Sequence, residues 1–182
     1  MNRVKLRFHA ISQIVGSIGV GIIVLTDEAK ERQISVVCDA EMTDALCKRL
    51  QARDGEDVHL AGALSSLLKQ NETQVEVLIY GIQDGQYCAM LLDTDSLVSV
   101  KLKVCDAILF ALSGHWPIYI DEQLMRIQAA SFDAAQEDRV AMPINVLNTD
   151  MLKEALARSI AQEDYKMAEY LNAELKRREG KS

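Results

Sequence analysis

Three short strand-like runs, Glu76–Tyr80, Gln86–Leu92 and Leu97–Lys103, are separated by only a few residues each. In the last, Val98, Val100 and Leu102 alternate with Ser99, Lys101 and Lys103, the period that puts successive side chains on opposite faces of a strand. The links carry turn chemistry, Asp84-Gly85 in one and Asp93-Thr94-Asp95 in the other. Links this short join antiparallel neighbours, because a parallel return needs a dozen or more residues. The runs therefore predict a meander. Asp93 and Asp95 fit its solvated turn, since no further carboxylate follows at a calcium-loop spacing.

The rest of the chain alternates the same way between strand and helix. Val4, Leu6 and Phe8 alternate with Arg3, Lys5 and Arg7, a half-buried strand with one basic face. That face is the best phosphate-contacting strip in the sequence, although a solvated strand face needs polar residues there in any case. Ile22–Leu25 and Gln33–Cys38 read as a hairpin about the charged turn Asp27–Arg32. Gly16, Gly19 and Gly21 before it lack the spacing of a dinucleotide loop, and a strand follows where a helix is required. Helical periodicity predicts a helix over Asp39–Arg53, with Met42, Ala45, Leu46 and Leu50 on one side. A second, over Leu60–Asn71, is expected to bury Leu64, Leu67 and Leu68. The resulting fold class is α+β: a mostly antiparallel sheet of hairpins and a meander, packed with helices.

Composition narrows the function classes. With 49% hydrophobic and 26% charged residues the chain of 182 residues is globular and long enough to bury a core. No run of eighteen apolar residues suggests a membrane span, and MNRVKLRFHAIS lacks an uninterrupted apolar leader segment, so a cytoplasmic protein is expected. Cys38, Cys47, Cys88 and Cys105 form no C-x-x-C pair and read as reduced, buried thiols; His9, His59 and His115 show no metal-ligand spacing. Residues 150–182 hold as many basic as acidic side chains, so the formal charge of −7 resides in the first 149. That balance opposes strong non-specific binding to phosphate backbones and leaves room for a local basic patch.

The stretch Leu97–Met125 carries the most chemistry. A strand leads into an apolar helix over Asp106–Ser113 and then an extended run over Pro117–Ile120. Asp106 lies where exposed N–H groups and the positive dipole end suit a carboxylate, which by itself predicts an N-terminal cap. Asp121 and Glu122 open the next helix, to Ala130, in the same way.

Cys105-Asp106-Ala107-Ile108-Leu109-Phe110-Ala111-Leu112, followed by Trp116-Pro117-Ile118-Tyr119-Ile120-Asp121-Glu122, resembles the signature of the bifunctional nuclease family, small domains credited with DNase and RNase activity. That family typically has Ser-Asp-Ala-Ile-Ala-Leu-Ala, a short linker, Pro-Ile-Tyr or Pro-Ile-Phe, and an acidic helix start. The resemblance extends over residues 1–132 and implies metal-dependent hydrolysis of DNA or RNA phosphodiesters. It implies Asp106, Asp121 and Glu122 as catalytic residues and Mg²⁺ or Mn²⁺ as the ion, although no motif assigns its ligands; the basic strip Arg3, Lys5 and Arg7 is the expected nucleic-acid contact. Two positions depart from the pattern. Asp39-Ala40-Glu41-Met42-Thr43 stands where the family has Gly-x-x-Glu-Ala, and Leu60-Ala61-Gly62 stands where it has Thr-His-Asp. The resemblance is thus to a divergent member, and a catalytically inactive oligomeric module that docks a protein partner through the C-terminal hairpin is the alternative expectation.

Residues 133–148 read as a linker, with Pro143 and no clear period. Residues 149–182 then form an αα-hairpin, with Leu152, Leu156 and Ile160 on one helix and Tyr165, Ala168, Leu171 and Leu175 on the other. Ala161-Gln162-Glu163-Asp164-Tyr165-Lys166-Met167-Ala168-Glu169-Tyr170-Leu171 is similar to the UVR motif of the UvrB and UvrC excision-repair proteins. That similarity implies docking of a protein partner through residues 149–182. A homo-oligomer is expected as well, because each helix has an apolar stripe too small to fold alone.

Overall fold

The structure, a computed structural model, describes residues 2–13, 20–52, 59–132, 149–161, 163 and 165–179. The chain divides into two compact units, Met1–Ala141 and Met142–Ser182. The expected linker over 133–148 lies outside the described residues.

The first unit is organised by a long strand, β1 (Arg3–Gln13), and the hairpin β2 (Val20–Asp27) and β3 (Arg32–Asp39) that follows it. Helices α1 (Ala40–Gln51) and α2 (Leu60–Gln70) come next, then the meander β4 (Val75–Gln83), β5 (Gln86–Asp93) and β6 (Ser99–Lys103). Helix α3 (Val104–Gly114), strand β7 (Ile118–Asp121), helix α4 (Glu122–Gln128) and the short β8 (Ala130–Ser131) complete it. The strands form one sheet in the order β6-β5-β4-β7-β1-β2-β3-β8. Every neighbouring pair is antiparallel except β4 and β7. That parallel pair is open to the chain because β5, β6 and α3 lie between its strands, long enough for a crossover. β7 thereby joins the N-terminal hairpin group to the meander.

The sheet's apolar positions follow the register. Ile23, Leu25, Ile34 and Val36 share one core with Val77, Ile79, Ile118 and Ile120, and Leu46 of α1 and Ile108 and Phe110 of α3 complete it. The opposite face takes the alternate residues, among them Arg3, Lys5 and Arg7. β1 pairs with β7 only from Arg3 to Leu6, so beyond Leu6 its edge on that side has no partner from β7.

Two helices differ in detail from the expectation. α2 buries Gly62 and Ser65; of the predicted leucine face only Leu68 packs, half-buried, against the core, while Leu64 and Leu67 are exposed, as is Leu60. The small residues let α2 approach α3 closely enough for the Ser65 hydroxyl to donate to the Phe110 carbonyl at 3.4 Å, and the helical period then turns Leu64 and Leu67 outward. α3 starts two residues earlier than predicted. Its N-cap is Lys103, with no side-chain cap, so Asp106 is an exposed acid of the first turn and not the cap itself. In α1, Leu46 is fully buried as expected, but Leu50 is half exposed, and Thr43 and Arg49 are buried in its place.

The second unit consists of α5 (Thr149–Ala161) and α6 (Tyr165–Glu179). Leu152, Leu171 and Leu175 form its small core, with Ala155, Leu156 and Met167 against them.

Candidate functional site

The turn that leaves α3 is held by several independent contacts. Gly114 closes the helix where a methyl group would overlap the Trp116 indole and stand 2.6 Å from the Ser65 Oγ. Without that methyl the indole folds back against the helix. Its Nε1 donates to the Ser65 Oγ at 3.0 Å. The ring stacks on Phe110 at 6.2 Å between centroids, and the Lys69 ammonium lies 5.7 Å from it. His115 stands between glycine and tryptophan in the left-handed conformation, with φ 54°. A left-handed residue is a common way to end a helix, and Lys30, Glu72, Asp84, Leu97 and Glu163 adopt the same region.

A cleft of about 570 Å³ opens beside this corner. One wall is the β1 segment Lys5–Phe8, at the point where β7 ceases to pair with it; the other is Ala111, Leu112 and His115–Ile118. The volume is in the range of small-ligand sites. It brings the β1 segment Lys5–Phe8 beside an exposed histidine and an aromatic ring some 110 residues on in the sequence.

The three cations of the β1 strip are not equivalent. Arg3 is held by the buried carboxylate of Glu76 and lies over the Tyr119 ring, 4.2 Å from its centroid, and it does not line the cleft. Lys5 and Arg7 do, and both reach the same carboxylate oxygen, Oε1 of Glu28, at 3.4 and 2.9 Å. Those two cations hold the Glu28 carboxyl below its ordinary value, the hydrogen bond from Arg7 being the largest influence.

The expected catalytic carboxylates sit at the starts of two helices, α3 and α4. Asp121 caps α4, its Oδ1 accepting from the Gln123 and Leu124 amides at 2.9 and 3.0 Å. Glu122 pairs with Arg126 at 3.9 Å, one turn along α4. Asp106 is exposed in the first turn of α3, next to Cys105, whose Sγ reaches the Val37 carbonyl of β3. Ligands of one Mg²⁺ or Mn²⁺ each need an oxygen about 2.0–2.6 Å from the ion. These three carboxylates do not make such a set, and among the described residues no three His, Cys, Asp or Glu side chains are grouped to hold a metal.

The cysteines are free. Burial pushes the Cys105 thiol up to about 12, and its Sγ donates to the Val37 carbonyl at 3.5 Å. Burial also raises the Cys38 thiol, 3.3 Å from the Thr43 hydroxyl. Both stay protonated near neutrality and are poor nucleophiles. The residues that sequence reasoning overlooked are Ser65, Gly114 and His115. Gly114-His115 after a helical run was the available signal, a turn dipeptide where glycine alone would suffice to end the helix.

A family model described as the bifunctional nuclease domain matches residues 23–133. The match takes in Ser65, Asp106, Gly114–Trp116, Asp121 and Glu122, and leaves β1 with Lys5 and Arg7 outside it. No curated protein matches the chain.

Proposed function

The chain belongs to the bifunctional nuclease domain family, and on that premise we propose that it acts on nucleic-acid phosphodiesters held in the cleft between β1 and the α3–β7 corner. The observation that carries this reading is the meeting of Lys5, Arg7, His115 and Trp116 along one cleft. Phosphodiester cleavage needs cations against the non-bridging oxygens and a group that moves a proton at the attacking or leaving oxygen. Lys5 and Arg7 supply the first, Arg7 with the planar fork that suits phosphate. The imidazole of His115 supplies the second, and the Gly114–Ser65–Trp116 contacts fix the backbone that carries it. Asp106 and Asp121 take structural roles at the starts of α3 and α4.

The test is cleavage of labelled single- and double-stranded DNA and RNA by the full chain, with Mg²⁺, Mn²⁺ or EDTA, which also reads out ion dependence. Arg7→Gln should raise KM, His115→Gln should lower kcat by about 10²-fold or more, and Asp106→Asn should leave both nearly unchanged. Loss of cleavage in Asp106→Asn with an unaffected His115→Gln would move the chemistry to the α3 N-terminus. Absence of cleavage on every substrate would remove the catalytic reading.

A second reading concerns residues 149–182. Ile160 and Tyr165 remain 52% and 68% exposed beside the small α5–α6 core, and exposed apolar side chains on so small a unit favour docking to a protein partner or a second copy. Light scattering of the full chain against one ending at Ala141 tests it: equal oligomeric states and no partner bound by the longer chain alone would refute it.

A further inference from the structure

We propose that Glu28 is an internal occupant of the phosphate subsite, its carboxylate filling the anion position between Lys5 and Arg7 until a substrate phosphate displaces it. The inference rests on the cleft reading above and adds a regulating residue to it.

The register brings the three groups together. Leu6 is paired with Asp27, the last residue of β2, and Arg7 with Thr26, so the turn residue Glu28 follows at the end of the ladder beside Lys5. A period of two puts Lys5 and Arg7 on one face of β1, and both reach Glu28. Glu28 bridges the two cations through a single oxygen, as a phosphate oxygen would. The backbone beneath is anchored: buried Asp27 accepts from the Glu31 amide at 2.9 Å, the Arg32 amide at 3.2 Å and the Arg32 Nε at 2.9 Å. Release of the subsite therefore needs only a rotation of the Glu28 side chain. All three partners are 42–62% exposed, and exposed ion pairs are weak, so the occupant is displaceable. Arg3 provides the contrast. Its carboxylate partner, Glu76, is buried within the sheet and is not exchanged.

The experiment measures binding of a labelled single-stranded oligonucleotide, and separately of inorganic phosphate, to the full chain and its variants. Glu28→Gln keeps the side-chain size and removes the charge, and should tighten oligonucleotide binding by about 3- to 10-fold. Asp44→Asn makes the same change in net charge at an exposed pair, 2.6 Å from Lys48 on α1, and should have little effect. Equal tightening by both variants, or none with Glu28→Gln while Arg7→Gln weakens binding, overturns the role of Glu28 and leaves the cleft reading standing. Unchanged binding in Arg7→Gln overturns the cleft reading itself. Tightening for inorganic phosphate as well as oligonucleotide identifies a subsite for any phosphate group; tightening for the oligonucleotide alone identifies one for the diester chain.

Discussion

Gly114→Ala is the sharpest perturbation of the corner that carries His115. The added methyl falls on the Trp116 indole and 2.6 Å from the Ser65 Oγ. The indole has little room to retreat, because Phe110 stacks on it and Ser65 accepts from its Nε1. Insertion of one methyl into such a contact costs about 1–3 kcal/mol. Losing the indole hydrogen bond at buried Ser65 adds about 1 kcal/mol. Alanine's helix preference over glycine returns up to about 1 kcal/mol. The net loss is roughly 1–3 kcal/mol, or about 3–10 °C in Tm. Trp116 is the single tryptophan of the chain, so its fluorescence follows both the corner and the unfolding of the first unit. The native emission should shift to longer wavelength, and the denaturant midpoint should fall. An unshifted native spectrum with a midpoint within about 0.5 kcal/mol of the parent would refute the steric reasoning.

Other expectations concern separate parts of the first unit. The Tyr87 hydroxyl is buried and has no hydrogen-bond partner among the described residues, so Tyr87→Phe should be neutral or stabilising by up to about 1 kcal/mol in denaturant unfolding; a loss of that size would reveal a partner for the hydroxyl. Asp121→Ala removes the carboxylate oxygen that accepts from two amides at the α4 N-terminus and should lower stability by about 0.5–2 kcal/mol. Faster hydrogen exchange at the Gln123 and Leu124 amides should accompany it, with recovery in Asp121→Ser. Burial raises the Asp27 carboxyl, but the amides of Glu31 and Arg32 and the Arg32 guanidinium outweigh it and hold the group below its ordinary value. A folded value below the unfolded one stabilises the fold above about pH 4, and the contribution is lost as pH falls through the folded value. The Tm difference between the parent and Asp27→Asn should therefore be largest at neutral pH and shrink below about pH 4; a difference constant with pH would contradict it.

The meander and the β2–β3 hairpin were legible because alternation and short turns are local properties, and both appear in register in the sheet. The helices were legible in place, but the face α2 buries was not. Leucine periodicity marks an apolar stripe without stating what lies opposite, and Gly62 and Ser65 took the interface because α3 approaches closely there. The expected site residues were legible one by one and not as a group. Asp106, Asp121 and Glu122 are near in sequence and all sit at helix starts, which local chemistry explains; whether they converge depends on the order of strands.

By itself the sequence determined the α+β class, the strand and helix segments and the family signature, all set by neighbours a few residues apart. The tertiary structure decided that β7 lies between β4 and β1, since pairing of Arg3 with Asp121 and of Val77 with Ile118 has no local signal. That placement leaves the edge of β1 open beyond Leu6 and brings Lys5 and Arg7 beside His115 and Trp116. It also turns a basic strand face into two distinct environments, Arg3 fastened to buried Glu76 and the other two cations joined through exposed Glu28. Burial around each carboxylate, a property of the packed sheet, makes the difference.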